Sequence, residues 1–169
     1  SLTSFACVAR QLACAALSPP AGRGDARPGW PERPRLRYRT VGVKGCAGSG
    51  LKVLGVTVLT SLSGQDLGEI GYGLGVEALV ERRIRQALDA GAAGVVASPH
   101  EAALARRIGG PDFLVVTPGV RPAWAGADDQ ARAATPGEAL RNGASHLVCG
   151  RPVTAAADPR ASAMRIARE

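Results

Sequence analysis

The sequence predicts an α/β fold built from parallel βα units. Three observations carry that reading. Short apolar, β-branched runs recur at residues 52–59, 94–97, 113–117 and 146–149, the type of strand that is buried on both faces of a parallel sheet. A helical segment follows each of them. Turn and cap residues fall at the boundaries between the two. The order from residue 52 is therefore βαβαβαβα. Four such units make either a small open sheet or one half of a closed eight-stranded barrel.

Residues 1–44 do not share this pattern. Residues 1–17 are apolar and Ala-rich, interrupted by Arg10 and Gln11. They resemble a secretory or transit segment in composition, but the internal charge argues against a signal. Residues 18–40 are rich in Pro, Arg and Gly, have no 2.0 or 3.6 period, and offer little to bury. The expectation is a basic, poorly structured segment over 1–44 and one folded unit over 45–169.

Within the folded unit each element has a local reason. Residues 52–59 form a continuous β-branched run, ended by Thr60 and Ser61. Asp66 to Ile70 starts a helical or turn segment. Val76, Leu79, Val80, Ile84, Ala87 and Leu88 share one helical face, with Glu81 and Arg85 four apart outside it. Gly91 stops that helix. After the strand at 94–97, Ser98 is expected to cap a helix with Pro99 at its first position and Glu101 completing a capping box. Gly109 and Gly110 end it. The strand at 113–117 leads into a long loop, 118–134. Thr135, Pro136 and Glu138 repeat the cap pattern, and Asn142-Gly143 closes that helix. The last strand, 146–149, holds Cys149 as a small core residue. Asp158-Pro159 caps a final helix through Arg168.

The totals narrow the function. The formal charge is +7. Residues 1–44 hold eight basic residues against Asp25 and Glu32, or +6, which leaves +1 for residues 45–169. The basicity is not a property of the folded unit, so nucleic acid is not an expected partner for it. No run of eighteen apolar residues occurs, so no membrane span is expected. Cys7, Cys14, Cys46 and Cys149 form no Cys-x-x-Cys pair, and His100 and His146 lie far apart, which argues against a zinc site. A reducing, cytoplasmic setting is the default.

In parallel α/β folds ligands gather at the carboxyl ends of the strands. Here those ends carry Thr60 and Ser61, Ser98, Thr117 to Arg121, and Gly150-Arg151. A Gly lets the backbone come close to a ligand, and the guanidinium fork of Arg suits phosphate oxygens. Two strand ends each offer a Gly and an Arg, Gly119 with Arg121 and Gly150 with Arg151, which suggests one anion site. The loop 118–134, with Asp128, Asp129 and Gln130, has the length of a lid. The plainer alternative is a tight turn and a solvated cation at Gly150-Arg151, a hydrogen-bonding strand end at Thr60, and a solvated Gln130. Trp124 reads as partial packing. His100 and His146 have no role in either reading. No Ser/His/Asp triad, metal box or Walker loop occurs.

Taken together, Leu54 to Ser61, Ser98-Pro99-His100-Glu101-Ala102, Val116 to Pro122 with Thr117-Pro118-Gly119-Val120-Arg121, Asp129-Gln130-Ala131-Arg132 and Gly150-Arg151-Pro152-Val153-Thr154 resemble the bacterial form of orotidine 5′-phosphate decarboxylase. Order and spacing both agree, including the nine positions from Arg121 to Gln130. The resemblance spans residues 45–169. It implies the second half of a TIM (β/α)8 barrel, conversion of orotidine 5′-phosphate to UMP and CO2 in pyrimidine biosynthesis, no cofactor and no metal, and a homodimer with sites near its interface. It also implies residue roles. Thr60 would contact the pyrimidine, and Arg121 would lie at the substrate end of its strand. Gln130 would reach phosphate and base, while the Gly150 amide and the Arg151 guanidinium would hold the 5′-phosphate.

The family's chemistry rests on an Asp-x-Lys-x-x-Asp motif and a further upstream Lys. No Asp-x-Lys occurs in these 169 residues, and the two lysines, Lys44 and Lys52, lie in other contexts. Asp128 stands where the family has Gly, Ala134 where it has Met, and His100 where it has an acidic residue. The family-like register begins near Gly45 or Cys46, as though the preceding residues came from another reading frame. No catalytic residue is therefore assigned, and the expectation is a fragment that does not turn over substrate alone. The rival readings are another sugar-phosphate-binding barrel lyase, an inert half-barrel that at most binds phosphate, and a nucleic-acid-binding basic tail.

Overall fold

A computed structural model describes residues 12–16, 43–125 and 134–169. Five parallel strands form one sheet in sequential order. They are β1 (Leu12–Ala16), β2 (Lys52–Val56), β3 (Gly94–Val96), β4 (Leu114–Thr117) and β5 (His146–Leu147). Val56, Val96, Val116 and His146 lie in register across four of them. The helices are α1 (Gly64–Glu69), α2 (Val76–Asp89), α3 (Ala102–Gly109), α4 (Pro136–Arg141), α5 (Arg151–Thr154) and α6 (Pro159–Ile166).

The βα order from residue 52 is as the apolar pattern predicts, but the strands are shorter. Residues 57–59 leave β2. The Thr57 amide still reaches the Val96 carbonyl at 3.1 Å, and the Thr57 hydroxyl donates to the same oxygen at 2.9 Å, after which Leu59 turns out to solvent. In the same way β5 stops at Leu147. Cys149 lies beyond it, half-buried, rather than inside a strand. Phe113 precedes β4 but is buried in the core.

One strand was not expected. Leu12–Ala16 falls inside the segment read as poorly structured, yet it pairs residue for residue with Lys52–Val56. An unpaired β2 edge presents a row of backbone donors and acceptors. Five small apolar residues, Leu-Ala-Cys-Ala-Ala, can lie along it without a β-branched signal to mark them.

Capping decides the helix starts. Ser63 and Asp66 form a reciprocal box on α1, with the Ser63 amide donating to the Asp66 carboxylate at 2.7 Å. Thr135 and Glu138 do the same on α4, with Pro136 in its first turn, as predicted. Asp158 caps α6 through the Ala161 amide at 2.9 Å. That helix ends at Ile166, two residues before Arg168. The start of α3 differs from expectation. Ser98 to Glu101 form a turn, and the N-cap is Glu101. Half of the expected box survives, because the Ser98 amide donates to the Glu101 carboxylate at 3.1 Å.

The helices pack Leu67, Leu79, Val80, Ile84, Ala87, Ala105 and Ala139 onto Val95 and Val115 of the sheet and Ala97 just beyond β3, giving one contiguous core. Glu81 and Arg85 pair at 2.8 Å on the outer face of α2, as their spacing predicts. Among the described residues no helix is long and apolar enough to cross a membrane.

Candidate phosphate-binding site

The polar ends of the strands meet where β4 and β5 lie side by side. Thr117 pairs with Leu147, and the Val148 amide continues the ladder to the Thr117 carbonyl at 2.9 Å. The two chain segments that leave these strands, 118–121 and 148–151, therefore emerge as neighbours. Val120 is fully buried and bridges Ala134 in parallel, while the Arg121 amide donates to the Ala134 carbonyl at 2.9 Å. That bridge fixes the backbone from which the half-buried Arg121 side chain extends.

Gly150 is exposed and has φ −96° and ψ −104°, neither helical nor extended. A side chain there would meet no protein atom within 4 Å. Neither positive φ nor packing within the chain demands the glycine; what it provides is open backbone at the strand end. Its carbonyl accepts the Val153 and Thr154 amides at 2.8 and 3.0 Å, which turns the chain at once into α5. Arg151 begins that helix with an exposed side chain.

Cys149 records the electrostatics of the junction. Burial pushes its thiol above the ordinary value; the Arg121 guanidinium pulls it down in part, and the Glu169 carboxylate adds to the rise. Arg121 and Glu169 thus both lie within electrostatic reach of the residue beside Gly150. The Glu169 carboxylate also accepts the Ala123 amide at 3.2 Å. The Arg165 guanidinium sits over the Trp124 ring, 4.4 Å from its centroid.

The predicted site residues divide accordingly. Arg121, Gly150 and Arg151 come to one end of the β4–β5 pair. Thr60 lies in the turn after β2, two strands from β4, so roughly 10 Å across the sheet at the usual strand spacing. Gln130, with Asp128 and Asp129, lies outside the described residues. Among the described residues no group of His, Cys, Asp or Glu is arranged to hold a metal.

Sequence reasoning missed one polar feature at this end. Arg83 of α2 is 3% exposed, donates to the Tyr72 hydroxyl at 2.9 Å, and lines a cavity of about 220 Å³ with Thr57, Leu62 and Leu79. Its position beside Ile84 and Val80 on the helix was the available signal, but a charged residue is rarely read as buried.

The parallel βα order and the single sheet first define a class, a βα-barrel type of protein. Comparison with known proteins then gives the family. Residues 40–166 match the model of the orotidine 5′-phosphate decarboxylase / HUMPS family, and the chain belongs to that family. It is 65% identical over 127 residues to an orotidine 5′-phosphate decarboxylase of Caulobacter sp. (strain K31), covering 75% of this chain and 56% of that protein. A second, from Caulobacter vibrioides, is 61% identical over 131 residues with the same coverage. Among solved structures, the orotidine 5′-phosphate decarboxylase of Lactobacillus acidophilus superposes with a TM-score of 0.63 at 35% identity, over 79% of this chain and 57% of that one. The chain spans about half the length of the curated relatives it matches.

Proposed function

We propose that this chain carries the nucleotide-phosphate-binding part of an orotidine 5′-phosphate decarboxylase and recognises orotidine 5′-phosphate or UMP. The observation that supports this best is that Arg121 and Gly150-Arg151 stand on the two neighbouring segments that leave the paired strands β4 and β5, within the stretch matched by the family model. Open backbone at Gly150 lets phosphoryl oxygens approach main-chain donors. The Arg151 guanidinium supplies charge-assisted hydrogen bonds. Thr60, from the turn after β2, meets the pyrimidine end of the ligand, and Gln130 links phosphate and base. The site uses no cofactor or metal, and the working form is a cytoplasmic homodimer.

Binding and chemistry separate in this reading. Remote phosphate contacts supply binding energy that a complete site uses in the transition state. They do not supply the proton that must reach the carbon losing CO2. The Asp-x-Lys-x-x-Asp arrangement associated with that step does not occur in these 169 residues. The chain alone is therefore expected to bind the nucleotide without decarboxylating it. Incubation of the purified chain with orotidine 5′-phosphate tests this: no CO2 release is expected, and turnover would contradict it.

A further inference from the structure

Two hydrogen-bond donors close together in the chain are shielded from solvent without an acceptor. Arg121 Nε and Trp124 Nε1 are both buried atoms that make no hydrogen bond. A buried donor without an acceptor is uncommon and costs free energy, so two within four residues need a reason. The surroundings hold the indole in place. Arg165 covers one face of the ring, and the neighbouring Ala123 amide is tied to Glu169. The same Glu169 lies within reach of Cys149, next to Gly150. Trp124 thus stands on the segment that leaves β4, beside the chain that leaves β5.

We propose that the Trp124 indole N–H is a further ligand-binding donor of this site, giving its hydrogen bond, alongside Arg121 Nε, to an oxygen of the ligand's phosphoryl group. An oxyanion suits the pair because both groups donate only and neither can accept. Arg165 acts through the ring as a positioning residue. This inference rests on the phosphate-site reading above and adds a residue to it.

Trp30 and Trp124 are the two tryptophans of the chain, so a Trp30→Phe background makes emission report on Trp124. In that background ribose 5-phosphate and UMP should each change the emission saturably, and unchanged emission at saturation overturns the proposal. Trp124→Phe in the full chain keeps an aromatic ring under Arg165 and removes the indole N–H together with part of the ring. Calorimetric affinity for UMP and for ribose 5-phosphate should then fall about fivefold to tenfold, the loss of one hydrogen bond, with Tm unchanged. Equal affinities in parent and variant overturn the proposal, and so does a loss confined to UMP, which would place the acceptor on the base. If the parent chain binds neither ligand, the phosphate-site reading itself fails, an outcome distinct from parent binding with an unaffected variant.

Discussion

Nε and Nη2 of Arg106 both donate to the carbonyl oxygen of Gly143, at 3.2 and 3.0 Å. The remaining nitrogen, Nη1, reaches the carbonyls of Gly110, Pro111 and Phe113 at 2.9, 2.7 and 2.8 Å. One guanidinium therefore joins the end of α3, the entry to β4 and the turn before β5. These turns lie at the amino ends of the strands, opposite the end that carries Gly150 and Arg151. Helix ends and turns leave carbonyls that need donors, and a charged fork serves several at once.

Arg106→Ala should lower unfolding stability by about 2–4 kcal/mol, since charge-assisted bonds are lost and their carbonyls are left partly shielded. Arg106→Lys should recover little, because an ammonium cannot reproduce the fork. Urea unfolding measures both. A loss below about 1 kcal/mol for the alanine variant, the scale of an ordinary hydrogen bond, would contradict this account.

Gly94 is required for a different reason. It pairs with Leu114 across β3 and β4, and a Cβ at that position would overlap the Leu114 carbonyl and Cβ. Its neighbour is backbone in the middle of the sheet, which cannot rotate away. Gly94→Ala is expected to cost about 2–3 kcal/mol, in the range of overpacking. Gly150→Ala, where a side chain meets open space, should leave stability nearly unchanged while weakening ligand binding. Thermal unfolding of the two variants side by side checks the contrast, and equal destabilisation would refute it.

The two capping boxes make stability depend on pH in the acid range. The Ser63 hydroxyl and then its amide hold the Asp66 carboxyl below 3.8; the Thr135 amide and then its hydroxyl hold Glu138 below 4.5. Because these folded-state values are depressed, the stabilisation is fully present above the unfolded values and is lost as pH falls through the lower folded ones. Glu138→Gln should therefore be less stable than the parent at neutral pH, with the gap closing below pH 4.5. A gap that stays constant down to the most acid conditions would count against the box.

The Cys149 thiol should react slowly. Burial first, and Glu169 second, favour its protonated form, with Arg121 opposing them in part. Alkylation at neutral pH, followed by peptide mass mapping, should be slower at Cys149 in the folded chain than in urea. Glu169→Gln should speed it, because removing the carboxylate favours the thiolate. Reaction as fast in the folded chain as in the unfolded one would show that the thiol is not shielded.

Much of this was legible in the sequence where local chemistry is decisive. Thr135-Pro136 with Glu138 caps a helix wherever it is placed, and the apolar runs at residues 52–59 and 113–117 mark buried strands, each longer than the strand that forms, Lys52–Val56 and Leu114–Thr117. Legibility failed where distant contacts decide. Leu12–Ala16 becomes a strand because the β2 edge lies beside it, not because of its own residues. Ser98 has the composition of an N-cap, but the chain turns through Pro99 and His100 first and starts α3 after Glu101. Arg106 and Arg83 carry no local signal of their roles, since their partners lie up to 37 positions away or on a separate segment. Of the proposed site residues, Arg121, Gly150 and Arg151 are named from spacing and resemblance, and they stand beyond two paired strands. Trp124 could not, because what sets it apart is an indole N–H shielded without an acceptor.

A nucleotide-phosphate site at Gly150-Arg151 and Arg121, as proposed, requires the Arg151 guanidinium for affinity. Calorimetric titration of UMP into the full chain and into Arg151→Ala tests it most directly. Saturable binding by the parent is expected, with at least a tenfold loss in the variant, about 1.4 kcal/mol or more. An absence of UMP binding by the parent, or equal affinities in the two proteins, would contradict it.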